Sequence, residues 1–188
     1  GSSYVVFGKA AGFSSAVNVS TLDGLSGFRL DGVAAYDKSG RAVASPGDVN
    51  GDGFADVIIG APRADPPSGT DAGASYVVFG KPSFAGNAVV SLSALTGANG
   101  FRMNGIASDD FAGSAVANAG DLNGDGLSDF LVGADGADPN AHSQAGSVFV
   151  VFGRAPAESV IRTGSAARQT INGGPFADVL VAIGDNDT

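Results

Sequence analysis

The chain contains no cysteine and no tryptophan, one histidine, one methionine and one glutamate, Glu158. Lack of cysteine excludes a disulfide framework, a thiolate zinc site and a thiol nucleophile. It does not assign a reducing compartment, because a domain can be secreted without disulfides. No run approaches the ~18 apolar residues that a membrane-spanning helix needs. Basic residues are also scarce: ten Lys and Arg stand against nineteen acids, a formal charge of −9. That balance argues against nucleic acid as a partner, since phosphates demand a basic face. Eighteen of the nineteen acids are Asp. Glu favours helices, whereas Asp favours turns and compact cation-binding loops.

Val, Ile, Leu and Phe still make up 25% of the chain, above the ~20% below which a highly charged chain fails to fold. The dominant feature is self-similarity. Tyr4-Val-Val-Phe-Gly-Lys9 returns as Tyr76-Val-Val-Phe-Gly-Lys81 and as Phe149-Val-Val-Phe-Gly-Arg154, at offsets of 72 and 73 residues. Phe28-Arg-Leu-Asp-Gly32 returns as Phe101-Arg-Met-Asn-Gly105, and Gly47-Asp-Val-Asn-Gly-Asp-Gly-Phe-Ala-Asp56 as Gly120-Asp-Leu-Asn-Gly-Asp-Gly-Leu-Ser-Asp129, both at 73.

Each period reads as short strands. Small residues at Arg41–Pro46 and Ser114–Ala119 suit a tightly packed inner strand. Asp56–Ile59 and Asp129–Val132 are apolar runs directly after a Gly-rich turn, and Ser75–Phe79 and Ser147–Phe152 are β-branched and aromatic. Val89–Leu92 and Phe101–Met103 complete the unit, with one helical turn available at Leu92–Leu95. No longer window carries a 3.6-residue period, so the chain is all-β. A four-stranded unit in tandem predicts β-propeller blades; a β-sandwich has no reason to repeat. The units divide into a partial blade at 1–40 (its last two strands), blades at 41–113 and 114–172, and a tail at 173–188. About two and a half repeats leave the ring incomplete. Phe7, Phe79 and Phe152, each followed by glycine, are expected to pack between blades.

Two D-x-N-x-D-G-x-x-D loops carry the chemistry. The first offers Asp48, Asn50, Asp52 and Asp56, the second Asp121, Asn123, Asp125 and Asp129. Alternate side chains in a tight loop converge, and hard oxygens suit Ca²⁺ better than Mg²⁺, which keeps its waters. The carbonyls of Phe54 and Leu127 are the natural backbone donors. Gly53 and Gly126 permit the sharp reversal; the alternative is a metal-free turn in which Asn, Asp and Gly make local hydrogen bonds. Neither loop is an EF-hand, because loop position twelve is Ile59 or Val132 instead of Glu.

The order G-D-x-N-G-D-G-x-x-D, a strand, Gly60-Ala-Pro62 and then Tyr-Val-Val-Phe-Gly resembles the FG-GAP repeat of integrin α-chain propellers and their bacterial relatives. The resemblance covers residues 1 to about 172. It implies calcium loops joining the first two strands of a blade, with Asp48, Asn50, Asp52, the Phe54 carbonyl and Asp56, then Asp121, Asn123, Asp125, the Leu127 carbonyl and Asp129, as ligands. Gly133-Ala-Asp135 replaces Gly60-Ala-Pro62 in the second unit.

The tail, Gly173-Gly-Pro-Phe-Ala-Asp-Val-Leu-Val181 and Ala182–Thr188, is similar to two degenerate RTX calcium-binding nonapeptides, with Asp178 and Asp187 nine apart. It also reads as a decayed blade start, Phe176-Ala-Asp-Val179 against Phe54-Ala-Asp-Val57. The RTX reading is preferred, and a third calcium site there stays open. His142 lies in a polar loop and Glu158 lacks a partner carboxylate, so no catalytic set is expected. The long loops Arg63–Ala72 and Gly136–Ala145, with Asp65 and Asp138 at 73, read as binding loops or as solvated connections. The expected function is a non-catalytic, secreted or cell-surface calcium-binding module for adhesion to a protein or glycan. Alternatives are a subunit assembling with copies of itself and an accessory module of a secreted hydrolase.

Overall fold

The computed structural model describes residues 1–155, together with the backbone of residues 161–163 and 179–181. The described residues form strands, turns and three short 3₁₀ turns, with no α-helix. The first sheet contains β1 (Ser2–Val6), β2 (Gly27–Asp31) and β6 (Val89–Ser91). The second is ordered β3 (Ala42–Gly47), β4 (Asp56–Ala61), β5 (Ala74–Val78) and β7 (Gly100–Asn104). The third contains β8 (Ala112–Gly120), β9 (Asp129–Ala134) and β10 (Ser147–Val151). All neighbours within the second and third sheets are antiparallel. No sheet among the described residues closes on itself. The architecture is all-β, three successive blades of an incomplete propeller.

The blades are held by their alternating faces. On β5, Tyr76 and Val78 point to the first blade and pack with its Phe28 and Leu30 and with Ile59 and Phe84 of their own blade. Val77, between them, points the other way and joins Ile58, Phe130 and Val132 against the third blade. A period of two along one strand thus supplies both interfaces of the middle blade. A Cβ on Gly60 would run into the carbonyl oxygen of Gly113, so β4 and β8 approach backbone to backbone at this point. Gly113 also has φ of +87°, a conformation that costs other residues strain.

The structure departs from the four-strand unit at one place. Val89–Ser91 does not pair within its own blade; it crosses to the first blade and adds to β2 in parallel, Leu30 opposite Val90. The N–H of Arg29 donates to the carbonyl of Ala88 across this seam, at 2.9 Å. Gly100–Asn104 alone is the fourth strand of the middle blade. Leu92–Ala94 then makes a 3₁₀ turn, shorter than the helical turn expected to Leu95, and buries Leu92. Phe7 and Phe79 pack between blades as anticipated. Phe152 does not: it is 55% exposed on the outer face of the third blade, because no blade covers that face among the described residues. The last part of the 114–172 unit and the RTX-like stretch at 173–188 lie outside the described residues, apart from β11 (Ile161–Thr163) and β12 (Val179–Val181), which pair in parallel.

Candidate metal centre

Both acidic loops join the first two strands of a blade, Asp48 to Ala55 between β3 and β4, and Asp121 to Ser128 between β8 and β9. Each comes after a register shift in its inner strand, between Ala44 and Gly47 and between Asn118 and Gly120. Such bulges bend a strand end and re-aim the loop beyond it.

Inside the loops the hydrogen bonds repeat atom for atom. Asp48 Oδ1 accepts from the N–H of Gly51 at 2.7 Å and of Asp52 at 3.2 Å, and its Oδ2 accepts from Gly53 at 2.8 Å. Asp121 does the same with Gly124, Asp125 and Gly126, at 2.7, 3.1 and 2.8 Å. Asn50 Oδ1 accepts from the Asp52 N–H while its Nδ2 donates to Asp52 Oδ2, at 3.0 and 2.9 Å. Asn123 and Asp125 match these at 3.0 and 2.8 Å. The N–H groups of Phe54 and Leu127 donate to Asp52 Oδ1 and Asp125 Oδ1, both at 2.8 Å.

The ninth residue of each loop has a separate task. Asp56 is 1% exposed and Asp129 fully buried. Asp56 accepts from the N–H of Val49 at 2.9 Å and of Gly80 at 2.8 Å. Asp129 accepts from Leu122 at 2.7 Å and Gly153 at 2.9 Å. Each thus clasps the start of its loop to the end of the third strand. Burial pushes the Asp56 carboxyl up to about 6; the N–H groups of Gly80 and Val49 oppose the rise, and the charges of Asp52 and Asp48 add to it. Gly80 and Gly153 are site residues that sequence reasoning treated only as strand ends. Their signal was present: each lies 24 positions after its Asp.

The acids are not drawn to one point. Among the described residues no three His, Cys, Asp or Glu side chains sit together as a metal cluster. Their donor chemistry nevertheless suits a hard cation. Ion pairs among the described residues are Arg29–Asp31 and Arg63–Asp71, so no Lys or Arg there neutralises a loop acid. A carboxylate offers about four lone-pair positions, and the N–H contacts of Asp48, Asp52 and Asp56 leave some free. Asn50 and Asn123 present an amide oxygen, and the residues expected to give a carbonyl, Phe54 and Leu127, stand beside them.

At the opposite end of β4 and β9, Asp65 and Asp138 are engaged within their own loops, accepting from the N–H of Asp71 and of Gln144. Two other acids, Asp37 and Asp110, are buried and accept from Ala34 and Ala107 at 3.0 and 2.9 Å. Their 73-residue separation is therefore a turn-forming repeat, visible in the sequence but not singled out there. His142 ends the 3₁₀ turn Pro139–Ala141, its N–H donating to the Pro139 carbonyl.

The family model of the FG-GAP repeat matches residues 39–78 and 112–151, each span holding one acidic loop and the three strands around it. The chain is 37% identical to integrin alpha-6 of Gallus gallus over 87 residues, 46% of this chain and 7% of that protein. Human integrin alpha-6 is 34% identical over 108 residues, 57% of this chain and 8% of that protein. Phosphatidylinositol-glycan-specific phospholipase D of Bos taurus is 33% identical over 118 residues, 63% of this chain and 14% of that protein. The chain therefore spans a small part of each relative.

Proposed function

We propose that this chain is an extracellular calcium-binding propeller module that acts by recognising a protein or glycan ligand and not by catalysis. The observation that carries the reading is the pair of loops with one hydrogen-bond network and acids without basic partners. Each takes one Ca²⁺ through Asp48, Asn50, Asp52, the Phe54 carbonyl and Asp56, or through Asp121, Asn123, Asp125, the Leu127 carbonyl and Asp129. The ion displaces part of the N–H contacts and relieves repulsion between the carboxylates. Millimolar calcium outside cells suits loops of this exposure, and the likeness to integrin alpha-6 supports a surface location. No helix among the described residues is long and apolar enough to cross a membrane. Calorimetric titration should find two ions per chain, and a raised melting temperature that EDTA reverses. A titration with no heat and no thermal shift sinks the calcium reading.

The parallel pairing of β11 with β12 favours the RTX reading of the tail. Ile161 lies opposite Val179 and Thr163 opposite Val181, with β12 inside the 173–188 stretch and β11 ahead of it. A decayed blade start pairs antiparallel with its neighbour, as β3 and β4 do.

A second reading is assembly between copies. Tyr4 and Val6 are 45% and 39% exposed, whereas their counterparts Tyr76 and Val78 are covered by a blade. On the far side, Val148, Val150 and Phe152 are open as well. These are the two halves of a blade interface, so head-to-tail contact is the expected mode. Light scattering that finds only an 18.3 kDa species at all concentrations removes this reading. The likeness to part of a phospholipase D keeps an accessory role beside a catalytic domain as a third.

A further inference from the structure

Asn–Gly pairs stand at Asn50, Asn99, Asn104 and Asn123 among the described residues, and Asn172–Gly173 lies outside them. Asparagine is labile before glycine, because no Cβ hinders the glycine nitrogen from reaching the amide of the side chain. The described pairs share that sequence and differ in what surrounds them.

Asn123–Gly124 lies in the second acidic loop. The Gly124 N–H donates to Asp121 Oδ1 at 2.7 Å, so the attacking nitrogen already rests its proton on a carboxylate. Asn123 Oδ1, on the carbonyl to be attacked, accepts from the Asp125 N–H at 3.0 Å. That donor stands where negative charge would build. Asn123 Nδ2, the departing nitrogen, donates to Asp125 Oδ2 at 2.8 Å. Both residues of the pair are exposed, so water reaches them.

No other described pair combines these features. Asn50–Gly51 has the same three contacts, at 2.7, 3.0 and 2.9 Å. Asn50, however, is 6% exposed, and Leu127 of the third blade packs beside Gly51. Asn99 and Asn104 are exposed but have no such acids. Asn99 accepts from the Thr96 N–H and donates to the Ala94 carbonyl. After Asn104, the Gly105 N–H donates to the Gly73 carbonyl at 2.8 Å.

We propose that Asn123–Gly124 is a self-modifying site, where the loop's own acids drive conversion of the asparagine amide to a carboxylate. The Gly124 nitrogen bonds to Asn123 Cγ while its proton passes to Asp121. The Cγ–Nδ2 bond then breaks, and that proton leaves with Nδ2 as ammonia. The five-membered imide takes up one water and opens at either carbonyl, to aspartate or to isoaspartate. Water is the sole co-reactant. One opening keeps the backbone and adds a carboxylate to the loop. The other routes the main chain through the former side chain and lengthens the loop by a methylene. If Asn123 also holds an ion, as proposed above, the conversion alters the second calcium site and spares the first. That consequence rests on the calcium reading; the conversion itself does not.

Incubation of the full chain in EDTA at neutral pH, followed by tandem mass spectrometry of its peptides, reads each asparagine separately. Asn123 should convert about tenfold faster than Asn50, which reacts only through local opening. It should lead Asn99 and Asn104 by about as much, roughly tenfold, because they lack the acids. In urea the four rates should converge. Conversion of Asn50 as fast as Asn123 in the folded chain overturns the role of exposure. Conversion of Asn99 or Asn104 as fast overturns the role of the acids, as does an Asn123 that reacts no faster folded than in urea. Any of these defeats the proposal. Added calcium should slow Asn123, since the ion takes its amide oxygen and the Asp121 carboxylate. If the ranking holds in EDTA and calcium changes nothing, the modification stands and the calcium reading of the second loop fails.

Discussion

The two acidic loops have the same hydrogen bonds and different surroundings. The first is roofed by the third blade. Its Asp48 and Val49 carbonyls accept from the N–H groups of Ser128 and Arg154 at 2.9 and 2.8 Å, and Asn50 and Val49 are buried. A Cβ on Gly51 would lie 3.0 Å from Leu127 Cδ2, so the second loop itself forms part of the first loop's wall. The second loop has no such roof among the described residues; its Leu122 is 58% exposed, whereas Val49, the matching residue, is 3% exposed. Local sequence therefore writes the network within a loop, and the next blade decides how firmly it is held. An open loop loses more conformational freedom on binding an ion, so on the proposed calcium reading the first loop should be the tighter site.

That comparison can be tested by ranking substitutions. Asp56→Ala strands the buried N–H groups of Val49 and Gly80 and should lower the unfolding free energy by about 3 kcal/mol, with Asp129→Ala nearer ~2 kcal/mol. Urea titration checks the order, and equal costs would mean that the roof adds nothing. Asp52→Ala and Asp125→Ala should each remove one ion, but Asp52→Ala should remove the tighter one. At calcium one hundred times above its dissociation constant that ion contributes about 2.7 kcal/mol, and calorimetry resolves which site is lost. Leu127→Ala trims the wall between the loops; it should weaken the first ion by about 1 kcal/mol, since part of a buried side chain is removed. No change in the first site after Leu127→Ala would separate the loops energetically. The smallest effect lies outside both loops and is a control. Arg29 Nη2 donates to Asp31 Oδ2 at 2.8 Å, and that bond holds the Asp31 carboxyl below its usual value. A lowered folded pKa stabilises above the unfolded value near ~3.9 and is lost as pH falls through the folded one. Both groups are open to solvent, which screens the pair, so the contribution is the smallest of the set; it should vanish in Arg29→Ala and ignore calcium.

The repeat, the blade type and the position of both loops were legible because each is local: a Gly-rich Asp loop leading into an apolar run reads the same wherever it lies. Partner choice was not legible. Val89-Val90 is an apolar pair whether it joins its own blade or the neighbour's, and periodicity carries alternation but no address. Within the loops the sequence distinguished nine positions but gave Asp56 the same role as Asp48. Only packing separates them, because Asp56 lies beneath the loop against Gly80 while Asp48 stays within the turn. Phe152 likewise repeats Phe79 in sequence and differs only in what stands next to it.

The crossing of Val89–Ser91 to the first blade has a mechanical consequence. β2 and β6 run parallel, β2 earlier in the chain and β6 later. Tension applied across the chain pulls β2 from its N-terminal side and β6 from its C-terminal side. The pair is therefore loaded in shear, with its hydrogen bonds and the packing beneath them strained together. An antiparallel hairpin pulled at its open end instead unzips one bond at a time. The first blade cannot peel away from the array until this clamp slides, so the loan of one short strand makes neighbouring blades yield as a pair.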